Sequence, residues 1–219
     1  MSEVDVSQLV PSTRDLLQVT TTRRRNLALI GEIGSEGAAR EAARLDAQNV
    51  SAFAFAAAGG PMTDGARATR TVPSLCLEAA ASREDCQRAR FHGADGVCFD
   101  VRLPPDQWDA LAKVARAMRM LPLALVRSAE DVELAGKAGA RALLLRAGSA
   151  AEVLEMAAKA PRNVTLIADV ASSEGAARLA SSADPAALRS LLGRVDSAVV
   201  PPSVHSDAGF SDLVAELDP

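Results

Sequence analysis

The chain has no tyrosine, and its aromatic content is only 3%. Alanine, leucine and valine must therefore supply most of any core. Cysteine is also scarce. Cys76, Cys86 and Cys98 are odd in number and widely spaced, which argues against a disulfide framework or a structural zinc site. Reduced thiols fit better, and a cytoplasmic location is the expectation. No apolar run approaches the roughly 20 residues that span a bilayer. The opening MSEVDVSQLV lacks a cationic start followed by an apolar core, so neither a membrane span nor a secretion signal is expected. Net charge is −4, and Arg23-Arg24-Arg25 is the one local run of basic residues. Without a basic block, a nucleic-acid partner is not expected. P-loop, dinucleotide, serine-triad and metal-ligand patterns are missing too, so no cofactor and no metal are expected.

What is present is a rhythm. Short apolar runs alternate with amphipathic stretches, the pattern of a parallel sheet with helical crossovers. The runs are LALIGEI (27–33), VSAFAF (50–55), PSLCL (73–77), GVCFDV (96–101), LALV (123–126), ALLLR (142–146), VTLIAD (164–169) and SAVV (197–200). Nearly continuous apolarity suits strands covered on both faces. Eight such units in 219 residues predict a single (β/α)8 TIM barrel over residues 27–219. Residues 1–26 read as an N-terminal segment with a short helix near Ser12–Gln18, where Ser12 and Asp15 have capping-box spacing. Pro104-Pro105-Asp106 opens a helix. Gly93 and Gly139 sit where helices stop and strands begin. Residues 170–194, with Asp184-Pro185 inside, predict two short helices.

The runs LALIGEI, TVPSLCLEA, ARFHGADGVCFDV, EDVELAGKAGARALLL and RVDSAVV together resemble the indole-3-glycerol phosphate synthase family. The resemblance implies a barrel of the phosphate-binding type with chemistry at the C-terminal ends of the strands. It also implies two lysines, proton-transfer carboxylates and a glycine-rich phosphate site. Matched position by position, little of that set remains. Glu32 is kept, but Gly34 and Leu77 stand at the two lysine positions. Ser35-Glu36-Gly37 replaces a serine-rich phosphate loop. Glu78 keeps an acidic position, Leu125 replaces a glutamate, and Arg146 replaces an asparagine. Asp169 replaces a glutamate and is followed by Val170 and Ala171. Pro201 and Pro202 fall at the last phosphate-binding turn, where proline has no N–H to offer.

The resemblance thus implies a degenerate barrel, a pseudoenzyme acting as a scaffold or regulator through a protein partner or self-association. Sugar-phosphate binding is doubtful on this reading. The alternative is a small-molecule-binding protein or carbon–carbon lyase with a remodelled site at the barrel mouth. Retention of the synthase reaction of tryptophan biosynthesis is what these losses disfavour most. The remnant catalytic candidates are Glu32, Asp169 and Arg146, with Glu78 and Arg127 as binding candidates beside Asp100 and Arg102. If parity follows the family, Arg146 bridges the buried carboxylates of Glu32 and Asp169 and fills the old cavity. Phe53 and Phe55 read as core residues, with filling of that cavity as the alternative. Trp108 reads as packing, His92 as a helix-end residue and His205 as surface-exposed.

Overall fold

In the computed structural model, which describes residues 9–170 and 184–218, the apolar runs become eight parallel strands. They close into one barrel in chain order. The strands are β1 (Ala28–Ile33), β2 (Ala52–Phe55), β3 (Ser74–Ala79), β4 (Gly96–Asp100), β5 (Leu121–Val126), β6 (Ala142–Ala147), β7 (Thr165–Val170) and β8 (Ser197–Val200). Helices α2 (Ala38–Ala47), α3 (Gly60–Ala68), α4 (Arg83–Phe91), α5 (Pro105–Ala117), α6 (Ala129–Lys137) and α7 (Ala150–Lys159) connect β1 through β7. A short α1 (Leu16–Thr20) precedes the barrel. Then α8 (Pro185–Leu191) leads into β8, and α9 (Pro202–His205) and α10 (Phe210–Leu217) close the chain. Of the two helices expected across 170–194, α8 is present; residues 171–183 lie outside the described residues. No helix among the described residues is long and apolar enough to cross a membrane.

Strand periodicity divides the core in two. One set, including Ile30, Ala54, Leu75, Leu77, Cys98, Leu123, Leu125, Leu144, Ile167 and Val199, fills the barrel interior. The other, including Leu29, Phe53, Phe55, Val97, Phe99 and Leu145, packs between strands and helices. Phe53 and Phe55 therefore do not fill the barrel. Phe55 lies over α3, where a Cβ on Gly65 would come within 2.6 Å of its Cζ. Trp108 packs edge-on to Phe99, as a packing role predicts.

The barrel's N-terminal end is closed by α1. Leu16 belongs to the interior cluster, and a Cβ on Gly96 would lie 2.3 Å from its Cδ2. Glycine at the start of β4 thus makes room for a leucine from outside the barrel. Burying that leucine stabilises the fold by roughly 1.5–3 kcal/mol. The cap of α1 is Asp15, whose side chain accepts from the Gln18 N–H. Ser12 is not the cap. Its hydroxyl instead donates to Asp95 Oδ1 at 2.5 Å, because a buried carboxylate outbids a helix end that Asp15 already serves.

Asp95 and Asp196 anchor this end. Asp95 accepts from the Ser74 N–H (2.8 Å) and pairs with Arg14 (2.8 Å) and Arg90 (2.9 Å). Asp196 accepts from the Leu166 N–H (2.9 Å) and the Arg24 N–H (3.1 Å). Each carboxylate precedes a strand and ties it to its neighbour, satisfying backbone donors that would otherwise be buried unpaired.

Candidate functional site

In (β/α)8 barrels chemistry is placed at the C-terminal ends of the strands. Two residues beyond each inward-facing hydrophobe, the same face carries Glu32 after Ile30, Asp100 after Cys98, Arg127 after Leu125, Arg146 after Leu144 and Asp169 after Ile167. Leu77 follows Leu75 on the same face. Arg146 and Asp169 are register partners on β6 and β7. The Arg146 Nε donates to Asp169 Oδ2 at 2.7 Å. Its Nη2 donates to the Leu77 carbonyl at 3.0 Å. Leu77 lies on β3, three strands away, so the guanidinium lies across the barrel mouth. Arg146 is 5% exposed and Asp169 is 0% exposed. Glu32 is also buried on this face, with an interaction of its own. The parity expected for Glu32, Arg146 and Asp169 is correct, and the structure brings Arg146 onto Asp169.

The other charges at this end are also committed. Arg127 Nη1 binds Asp100 Oδ2 at 2.8 Å, and Arg102 Nε binds Asp131 Oδ1 at 2.8 Å. Glu78 is out of phase with Leu77 and sits on the outer face. There it lies 3.8 Å from Arg88 of α4, away from the mouth. Helix N-termini at this end are anion sites by virtue of their free N–H groups. At α4, α6 and α7 they already hold carboxylates of the chain itself. Asp85 Oδ2 accepts from the Ala81 and Ser82 N–H groups. Asp131 Oδ2 accepts from the Arg127 N–H, and Glu152 Oε2 from the Gly148 N–H.

The thiols are not exposed for use either. All three cysteines are buried and none is in a disulfide, and burial pushes the Cys76 and Cys86 thiols up to about 12. Among the described residues no cluster of His, Cys, Asp and Glu is arranged to hold a metal.

His205 is fully buried, not on the surface as its polar surroundings in the sequence suggest. Its Nε2 lies 2.7 Å from the Glu32 carbonyl, and its Nδ1 lies 2.8 Å from Arg44 Nη2 and 3.1 Å from Glu41 Oε1. Burial lowers its pKa more than the Glu32 carbonyl and Glu41 raise it. The neutral ring therefore donates from Nε2 and accepts from Arg44 at Nδ1. Arg44 in turn neutralises Glu41 at 2.6 Å. His92 does end a helix, as α4's C-cap, and its Nδ1 bonds the Thr63 hydroxyl at 2.8 Å.

No protein-family model matches the chain, and no curated protein sequence matches it. Solved structures do. The N-acetylmannosamine-6-phosphate 2-epimerase from Clostridium perfringens superposes with a TM-score of 0.63 at 14% identity, covering 86% of this chain and 90% of that one. A 3-hexulose-6-phosphate synthase superposes with a TM-score of 0.66 at 16% identity, covering 87% and 98%. At these identities the likeness shows the fold alone, a closed (β/α)8 barrel.

These neighbours overturn the resemblance to indole-3-glycerol phosphate synthase. The chain shares its barrel fold with an epimerase and a synthase of different families, and nothing ties it to indole-3-glycerol phosphate synthase. The physical reason lies in the matched phrases themselves. Asp95 of GAD and Asp196 of RVD pin strands at the floor, and the apolar runs are strands that any such barrel needs. Gly34, Leu77, Leu125 and Pro201 accordingly carry no record of a lost synthase site.

Proposed function

We propose that this protein is a non-catalytic barrel that acts as a scaffold or regulator through its outer surface, by contact with a protein partner or a second copy of itself. One observation carries the reading. Arg146 spans the mouth from Asp169 to the Leu77 carbonyl and is almost inaccessible. A reacting substrate needs that space, and an anionic one needs a cation not already held by a carboxylate. Arg127 and Arg102 are paired as well, and the anion-binding ends of α4, α6 and α7 hold Asp85, Asp131 and Glu152.

The test has two arms. Calorimetric titration with ribulose 5-phosphate and N-acetylmannosamine 6-phosphate should give no saturable heat that changes in the Arg146→Met/Asp169→Leu double variant. Sedimentation and affinity capture of the intact protein should give a defined assembly. Saturable sugar-phosphate binding abolished by the double variant would support a remodelled mouth site instead. A strictly monomeric, partnerless protein would count against the scaffold role.

A further inference from the structure

A cavity of about 410 Å³ opens at the N-terminal end of the barrel, opposite the mouth. Arg116, Arg119 and Arg141 line it together with the apolar Leu17, Met120 and Pro122; two carboxylates also face it, Asp95, held by Arg14 and Arg90, and Asp15, which caps α1. The helices of this fold end at this side, and basic residues in last turns offset the negative ends of helix dipoles. That suffices for Arg116, which is in the last turn of α5. It does not explain Arg119 and Arg141, which lie beyond the helices.

Arg119 occupies a corner that recurs around the barrel. After α2, α4, α5 and α6 the chain turns through one left-handed residue: Asn49 (φ 61°), Gly93 (φ 104°), Arg119 (φ 56°) and Gly139 (φ 66°). The hydrogen bonding is the same each time. The Gly93 N–H donates to the Arg90 carbonyl, the Arg119 N–H to Arg116, and the Gly139 N–H to Gly136. Glycine, or asparagine next, adopts this conformation readily, whereas a longer side chain is strained in it. Only the corner facing the cavity carries arginine.

Arg141 repeats the point in another way. Gly93-Ala94-Asp95 leads into β4, and Gly139-Ala140-Arg141 leads into β6 by the same turn. Asp95 is buried and ties strands together. Arg141, in the equivalent place, is exposed on the cavity. The guanidinium groups of Arg116, Arg119 and Arg141 make no hydrogen bond or ion pair among the described residues, whereas Arg14 and Arg90 on the same floor hold Asp95.

We infer that this floor cavity binds a small organic anion, a phosphate or carboxylate head on a compact apolar body. Guanidinium forks match the oxygens of either head, and the leucine, methionine and proline wall suits a hydrocarbon body. The volume lies within the usual range for small-molecule sites. The lining has no aromatic ring on which a nucleic-acid base would stack. The cavity lies at the opposite end from Arg146, so its occupancy is independent of the mouth.

Titration calorimetry of the full chain tests this with phenyl phosphate, benzoate and inorganic phosphate, in the natural protein and in Arg119→Gly and Arg141→Gln. Phenyl phosphate, benzoate or both should bind saturably, and their ratio identifies the preferred head. Inorganic phosphate, lacking the body, should bind at least about tenfold more weakly. Each variant should weaken the organic anion by about tenfold, while Arg119→Gly leaves the thermal unfolding midpoint unchanged or raised. Absence of saturable binding by both organic anions, or undiminished binding in both variants, would overturn the assignment. So would inorganic phosphate binding as tightly as phenyl phosphate, which would reduce the site to bare surface charge. Salt-sensitive binding of a short DNA duplex, lost in the same variants while the small anions fail, would overturn it in favour of a nucleic-acid surface.

Discussion

At the mouth of this barrel Arg146 lies sealed across the opening on Asp169, whereas at the floor Arg116, Arg119 and Arg141 line a cavity without carboxylate partners. The same side chain is used in two opposite ways. A buried arginine is tolerated when its charge and fork are answered by acceptors. A rim arginine stays hydrated and keeps its donors available. Pairing with Asp169 withdraws Arg146 from anion binding at the end where barrels of this fold usually place such a site. The floor offers one where that fold ordinarily carries only stabilising contacts.

The strongest way to break this contrast is Asp169→Ala. If Arg146 is truly sealed, it is left as an uncompensated buried charge, and stability should fall by about 3–5 kcal/mol. Replacing both partners, in Arg146→Met/Asp169→Leu, should be neutral or stabilising by up to about 4 kcal/mol. Urea denaturation midpoints check both. A loss under about 1 kcal/mol in the single variant would mean that water reaches the guanidinium and that the mouth is not closed.

Next in size is Leu16→Ala. This leucine fills the space left by Gly96 and separates the barrel interior from the floor cavity. Its truncation should cost about 2–3 kcal/mol, because the surrounding strands cannot collapse onto the void. The same denaturation series measures it. An effect near zero would show that α1 is not part of the barrel core and that the cavity runs on into the interior.

All eight strands were legible because a strand covered on both faces is written as a bare apolar run. The inward phase of Glu32, Arg146 and Asp169 was expected only from the parity of the resembled family, because the runs themselves alternate too little to show it. The phase of Phe53 and Phe55 was not legible either, since an unbroken apolar run does not say which face meets the helices. His205 was missed because SVHSDAGF, at the start of the last helix region, is polar enough to read as exposed; its burial comes from Arg44 and the Glu32 carbonyl, which are far away in the chain. The floor arginines escaped for a similar reason. Arg116, Arg119 and Arg141 form no basic block in sequence, and only the turns after α5 and before β6 bring them together. The Gly-Ala-Arg phrase, set beside Gly-Ala-Asp, was the one available signal.

The two histidines sharpen the comparison at its smallest scale, through pH. His205 sits at the mouth end and is fully buried, while His92 caps α4 towards the floor and is half-buried. Burial lowers the pKa of each, and Arg88 adds to the effect at His92. A histidine whose folded pKa is below its unfolded value of about 6.5 takes up protons preferentially when unfolded. Stability from such a group is therefore present above about pH 6.5 and is lost as pH falls from there through the lowered folded value. His205 should dominate, because solvent screens His92 and because protonating Nδ1 of His205 sets an N–H against Arg44. His205→Gln keeps a donor for the Glu32 carbonyl and cannot titrate. It should flatten the fall in urea midpoint between pH 7 and pH 5, whereas His92→Gln should leave most of that fall in place. Equal slopes in the two variants would show that the mouth end is no drier than the floor.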